Sequence, residues 1–212
     1  MDLSLYVITD SALSHQRLDI DVVRAAIAGG ATAIQLRDKA ASGRQLAETG
    51  RALLELTRRA GALLIVNDRV DVAMAIDADG VHVGQDDLAA ADVRRIIGPN
   101  KIVGVSASTL EEAIQAERDG ADYVGTGAVF ATASKPDAGE PIGTRGLARI
   151  AAAVRIPTVA IGGINATNAV GCIEAGAAGV AVISAVVSAD DISEAARHLR
   201  DVVEAGKRQR MS

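Results

Sequence analysis

The chain has 212 residues, a formal net charge of −5, two tyrosines, one phenylalanine and no tryptophan. That balance excludes an overall basic field for nucleic acid, and the scarcity of aromatics removes the platforms on which single-stranded bases stack. One cysteine excludes an internal disulfide, and no segment approaches the ~20 unbroken apolar residues of a membrane helix, so a cytoplasmic protein without membrane or nucleic-acid partners is expected.

Eight short apolar runs follow one another, at Leu5–Thr9, Ala33–Leu36, Leu63–Val66, Gly80–Val83, Ile102–Val105, Tyr123–Gly125, Thr158–Ile161 and Val180–Ile183. Each has the length of a buried strand. Helical periodicity separates them: Asp21–Ala28, the long amphipathic Gly43–Ala60, a weaker stretch at Asp71–Ile76, then Leu88–Ile97, Leu110–Asp119, Leu147–Val154, Thr167–Ala175 and Ile192–Ala205. Gly29, Gly61, Gly98, Gly120 and Gly176 stand where helices end, and Ser42, Ser108 or Thr109, and Asn165 where they begin.

Strands alternating with helices imply βαβ units and a parallel sheet. Eight such units predict an α/β protein closed into a (β/α)8 TIM barrel, one catalytic domain over residues 1–212 with a short, basic, frayed tail from about 206. In that fold the chemistry sits at the C-terminal ends of the strands, so the polar residues there are the candidates.

Strand two runs into Gln35-Leu36-Arg37-Asp38-Lys39, which in extended chain turns Gln35, Arg37 and Lys39 to one side as an anion clamp. The plain alternative is a solvated loop in which Arg37 pairs with Asp38. Strands three and four end in Val66-Asn67-Asp68-Arg69 and His82-Val83-Gly84-Gln85-Asp86-Asp87. Asp68 with Asp86 or Asp87 suits a hard divalent cation, or else caps the following helices. His82 reads as a structural residue inside its strand.

Strand five ends in Ser106-Ala107-Ser108. After strand six a long loop, Gly125 to about Gly146, carries Thr132, Ser134 and Lys135, two hydroxyls and a cation suited to phosphate. Gly162-Gly163 after strand seven and Ser184 after strand eight occupy the recurring phosphate position of the fold.

Taken together, Gln35–Lys39, Val66–Arg69, His82–Asp87, Phe130–Ala138 and Ala160–Ile164 resemble the thiamine phosphate synthase family, with a likeness running from Tyr6 to Ser184. The resemblance implies a transferase that joins hydroxymethylpyrimidine diphosphate to hydroxyethylthiazole phosphate, releasing pyrophosphate. It implies that Gln35, Arg37, Lys39, Asn67, Ser106 and Lys135 contact the pyrimidine diphosphate, with Arg37, Lys39 and Lys135 catalytic. It further implies that Asp68 and Asp87 hold Mg2+, and that Thr132, Ser134, Gly163, Ile183 and Ser184 hold the thiazole phosphate.

Ala128 and Ala131 stand where the family often has proline, so a looser loop is expected there. Rival readings are a thiazole tautomerase-like protein with no metal requirement, a Schiff-base aldolase using Lys39 or Lys135, and a non-catalytic sensor of phosphorylated ligands.

Overall fold

The computed structural model describes residues 1–134 and 139–211, the last of these by its backbone alone. Eight parallel strands close into a barrel in sequence order: β1 (Leu5–Ile8), β2 (Ala33–Leu36), β3 (Leu63–Asn67), β4 (Gly80–Val83), β5 (Ile102–Ala107), β6 (Tyr123–Thr126), β7 (Thr158–Ile161) and β8 (Gly179–Val182). The seam is the β1–β8 pair, registered Leu5 to Val180 and Val7 to Val182. Both faces of every strand are covered, which explains why the sequence shows apolar runs rather than alternation.

Side chains still alternate. Leu5, Val7, Ile34, Leu36, Leu64 and Val66 join the large core between strands and helices. Tyr6, Ile8, Ala33, Ile65, Tyr123, Val159 and Ala181 point into the barrel. Period two therefore also turns Gln35, which follows Ile34, toward the interior, where it is 3% exposed.

The helices follow the strands: α1 (Asp19–Ala28), α2 (Gly43–Ala60), α3 (Val70–Ile76), α4 (Ala90–Ile97), α5 (Leu110–Arg118), α6 (Gly143–Ala153), α7 (Ala169–Glu174), α8 (Ser184–Val187) and α9 (Ile192–Met211). Ser42 and Gln45 form a capping box at the start of α2, and Thr109 and Glu112 another at α5. Each such cap is worth about 1 kcal/mol. On α2, Leu46, Gly50, Leu53, Leu54 and Thr57 make the buried stripe, spaced by three or four residues as one helix face requires.

Several boundaries depart from the sequence reading. Helix α6 starts four residues early, and the four-residue α8 carries no periodic pattern long enough to read. Gly29 caps α1 with an ordinary right-handed φ of −82°, and its neighbour Gly30 makes the turn at φ 100° instead. The basic end is not frayed: α9 runs to Met211 because Arg210 donates to the carbonyls of Ile173 and Ala177. Lys207 also donates to the Ser4 hydroxyl across the seam. The loop after β6 is not loose at its start. Val129 and Phe130 donate to the carbonyls of Ile161 and Gly162, while Ile142 and Gly143 return bonds to Ala128 and Val129.

Two glycines inside the barrel make room for polar residues. Gly104 lies in register between His82 on β4 and Tyr123 on β6. A Cβ there would stand 2.2 Å from Tyr123 Cζ and 2.5 Å from His82 Nδ1. Gly104→Ala should therefore cost about 1–3 kcal/mol of stability through overpacking, read by urea unfolding.

Candidate active site

One cavity of about 710 Å3 opens at the C-terminal ends of the strands. Gln35, Arg37 and Lys39 all line it, as the extended reading of that segment expects. Arg37 does not pair with Asp38. It donates to Asp10 Oδ2 at 2.8 Å, with both side chains largely buried (15% and 13% exposed). Thr9 holds the Arg37 backbone, accepting its N–H at 3.0 Å. Asp38 instead accepts from the amides of Ala40 and Ala41, shaping the loop into α2.

Beside Arg37, on the next two strands, Asn67 and Asp68 at the end of β3 line the cavity together with Asp86 and Asp87 beyond β4. Asp68 takes a left-handed backbone conformation at φ 60°, which Asp tolerates better than most side chains. Its N–H donates to the His82 carbonyl at 2.8 Å, which fixes the bend. Burial, and then the Asp87 carboxylate beside it, push the Asp68 carboxyl up to about 6, against weaker pulls downward from Asn67 and Lys39.

Asp87 in turn accepts from the Gly84 amide at 2.7 Å. Two carboxylates crowded this way favour either a shared proton or a cation. Among the described residues no group of three or more His, Cys, Asp or Glu is assembled for a metal. A pair open to a cavity nonetheless fits Mg2+, which commonly takes one or two protein carboxylates and completes its shell with water and phosphate oxygens.

Across the cavity, Thr132, Ser134, Gly163, Ile183 and Ser184 line the wall made by the loops after β6, β7 and β8. Ser134 donates to Ser184 Oγ at 3.3 Å, joining two of those loops. Gly162 and Gly163 have φ values of 96° and 64°, and a Cβ on Gly163 would stand 2.4 Å from the Ala131 carbonyl. Only glycine lets these loops approach so closely. Lys135 lies outside the described residues.

Below the mouth, Ser106 lines the floor with His82, Tyr6 and Tyr123. His82 is 9% exposed, with Nδ1 2.9 Å from the Tyr123 hydroxyl and Nε2 3.0 Å from Ser106 Oγ. It lies within β4 with a face toward the site. Cys172 is buried in α7, where burial pushes its thiol up to about 11.

Twelve of the thirteen candidate residues are thus brought to one cavity, the thirteenth being Lys135. Sequence reasoning missed Asp10, whose place in the run Tyr6–Asp10 at the end of β1 was the only signal. It also gave no role to Tyr6 and Tyr123, although they are two of the chain's three Phe, Tyr and Trp residues.

A closed (β/α)8 barrel with cations and paired carboxylates on one side of its mouth, and a glycine-serine wall on the other, defines an enzyme of phosphorylated small molecules. The family model described as thiamine monophosphate synthase matches residues 5–186, and the chain belongs to that family.

The thiamine-phosphate synthase of Moorella thermoacetica is 60% identical over 199 residues, covering 94% of this chain and 95% of the relative. That of Chloroflexus aurantiacus is 60% identical over 203 residues, covering 96% and 94%. The solved thiamine phosphate pyrophosphorylase from Pyrococcus furiosus superposes with a TM-score of 0.91 at 48% identity, covering 97% of this chain and 98% of its own. The tautomerase alternative gains no support from these relatives, which carry the synthase name.

Proposed function

We propose that this chain condenses hydroxymethylpyrimidine diphosphate with hydroxyethylthiazole phosphate to give thiamine phosphate and pyrophosphate, as a single catalytic domain. The observation that carries the reading is the two-sided cavity. Arg37, Lys39, Asp68 and Asp87 face one side, and Ser134, Gly163 and Ser184 the other, enough for two phosphorylated ligands at once.

The C–O bond between the pyrimidinylmethyl carbon and the diphosphate breaks, and its electron pair leaves with pyrophosphate. The thiazole nitrogen lone pair forms the new C–N bond. No proton moves and nothing is oxidised or reduced, so the protein's task is to stabilise charge on the leaving group. Arg37 offers a planar fork and Lys39 a mobile ammonium for that charge. Asn67 and Gln35 orient the pyrimidine end, and Ser106 closes the floor.

Asp68 and Asp87 would hold Mg2+. When bound, the ion supplies Lewis-acid neutralisation of the diphosphate. Lys135, in the serine-threonine loop, is assigned to the same diphosphate by resemblance. Thr132, Ser134, Gly163, Ile183 and Ser184 would hold the thiazole phosphate.

Among the described residues no helix is long and apolar enough to cross a membrane. The free, buried Cys172 supports a reducing, cytoplasmic setting.

The test is purified protein with both substrates, followed by formation of thiamine phosphate. EDTA should abolish turnover and added Mg2+ should restore it. Full activity in EDTA would remove the metal from the reading, and no product with both substrates and Mg2+ would remove the reading itself.

A further inference from the structure

A continuous chain of hydrogen bonds crosses the barrel beneath the cavity. Gln35 Nε2 donates to the Tyr6 hydroxyl at 3.0 Å. The Tyr6 and Tyr123 hydroxyls are 3.0 Å apart. Tyr123 meets His82 Nδ1 at 2.9 Å, and His82 Nε2 meets Ser106 Oγ at 3.0 Å. Tyr6 is 1% and Tyr123 0% exposed. Burial pushes both phenols upward, so each keeps its single proton.

The sequence makes space for this chain. Gly104 occupies the position between His82 and Tyr123, where any Cβ would collide with both rings. Gly125 sits in register with Ser106, and a Cβ on it would stand 3.0 Å from His82 Cε1. The two tyrosine rings meet edge to face at 6.0 Å. A purely apolar barrel interior would need none of these arrangements.

Such a chain has one direction. Tyr6 accepts a hydrogen bond from Gln35, so its own O–H donates to Tyr123. Tyr123 then donates its O–H to His82 Nδ1, which acts as acceptor, so the neutral imidazole carries its hydrogen on Nε2. Nε2 donates to Ser106 Oγ, so the Ser106 proton is left for the cavity. Any break in this order strands a buried hydroxyl or ring nitrogen without its partner, which is costly.

We propose that Tyr6, Tyr123 and His82 are positioning residues that fix what the two ends of the chain offer the pyrimidine: Gln35 its side-chain carbonyl as acceptor, and Ser106 its hydroxyl as donor. The two ends lie on β2 and β5, three strands apart around the barrel, so they address opposite sides of a bound ring. An aminopyrimidine matches that pattern. Its exocyclic amino group donates to Gln35, and a ring nitrogen accepts from Ser106. The oxo analogue, with oxygen in place of the amino group, sets carbonyl against carbonyl at Gln35. The relay is thus a device for choosing amino- over oxopyrimidines. The proposal rests on the synthase reading for the identity of the ligand.

Two measurements test it. The first is 15N NMR of the histidine side chains in the free full-length protein, which has three histidines, with His82→Gln used for assignment. The Nε2–H tautomer is expected at His82; an Nδ1–H tautomer or a charged ring overturns the proposal. This readout does not depend on turnover.

The second is kcat/KM for the aminopyrimidine diphosphate against its oxo analogue, in the wild type and in Tyr6→Phe and Tyr123→Phe. The amino-to-oxo preference should fall at least tenfold in both variants, carried mainly by KM for the pyrimidine, with KM for the thiazole phosphate little changed. A merely structural role would slow both substrates alike and leave the ratio intact, and an unchanged ratio in the folded variants overturns the proposal. A wild-type protein that forms no product from either pyrimidine overturns the synthase reading instead, and the NMR result then stands on its own.

Discussion

Asp68→Asn is expected to move activity and stability in opposite directions. With Mg2+ present, kcat/KM should fall about 10²–10³-fold, the loss typical of removing one charge-stabilising contact. Without metal, the same variant should melt higher than the wild type at pH 8 and match it near pH 4.

The sign follows from the raised Asp68 carboxyl, at about 6 against an ordinary 3.8. A group whose folded value lies above its unfolded value stabilises the fold while protonated in both states. It loses that contribution as pH rises from the unfolded toward the folded value, so above about 6 the ionised Asp68–Asp87 pair is a burden the metal-free protein carries. Asparagine keeps the left-handed turn at φ 60° and removes the charge. Each kcal/mol relieved raises the melting temperature of a chain this size by roughly 2–4 °C. Melting in EDTA at pH 4 and pH 8 checks this; equal melting temperatures at pH 8 would mean that neither burial nor the Asp87 carboxylate penalises the ionised Asp68.

The second large effect belongs to Arg37. Arg37→Ala should lower kcat by about 10²–10³-fold with little change in fold, because the side chain leaves the leaving-group diphosphate without its planar donor. Arg37→Lys should recover only part of this, since an ammonium cannot make the paired contact. Steady-state kinetics with circular dichroism of the same preparations separates chemistry from folding. Turnover at the wild-type rate in Arg37→Ala would place the charge stabilisation elsewhere. The buried Asp10 partner makes the geometry of this arginine a property of β1 as much as of β2.

The barrel was legible because each of its elements satisfied several local rules at once. Ala33–Leu36, Gly80–Val83 and Thr158–Ile161 match their strands to the residue, and Gly43–Ala60 its helix, since apolar period, capping box and terminal glycine agree there. The candidate site was legible for a different reason: the fold gathers strand ends, so polar residues at those ends must converge.

What the sequence hid depends on side-chain partners distant along the chain. The only ion pair the sequence offered Arg37, as the alternative to an anion clamp, was its neighbour Asp38, because Asp10 is brought near only when β1 and β2 align. Tyr6, Tyr123 and His82 lie far apart in the chain and meet only inside the closed barrel. The basic residues after position 206 looked solvated because nothing local reveals that the carbonyls of Ile173 and Ala177 wait for Arg210.

The seam between β1 and β8 also has a meaning for biogenesis. While the chain emerges from its N-terminus, β1 presents an unpaired edge until Gly179–Val182 has been made, and α9 can latch over the junction through Lys207 and Ser4 only afterwards. An open parallel edge is adhesive toward other chains. The interval between making the first and the last strand is therefore the period in which a nascent molecule is most exposed to clumping, and mutations that weaken the latch should show first as poor yield.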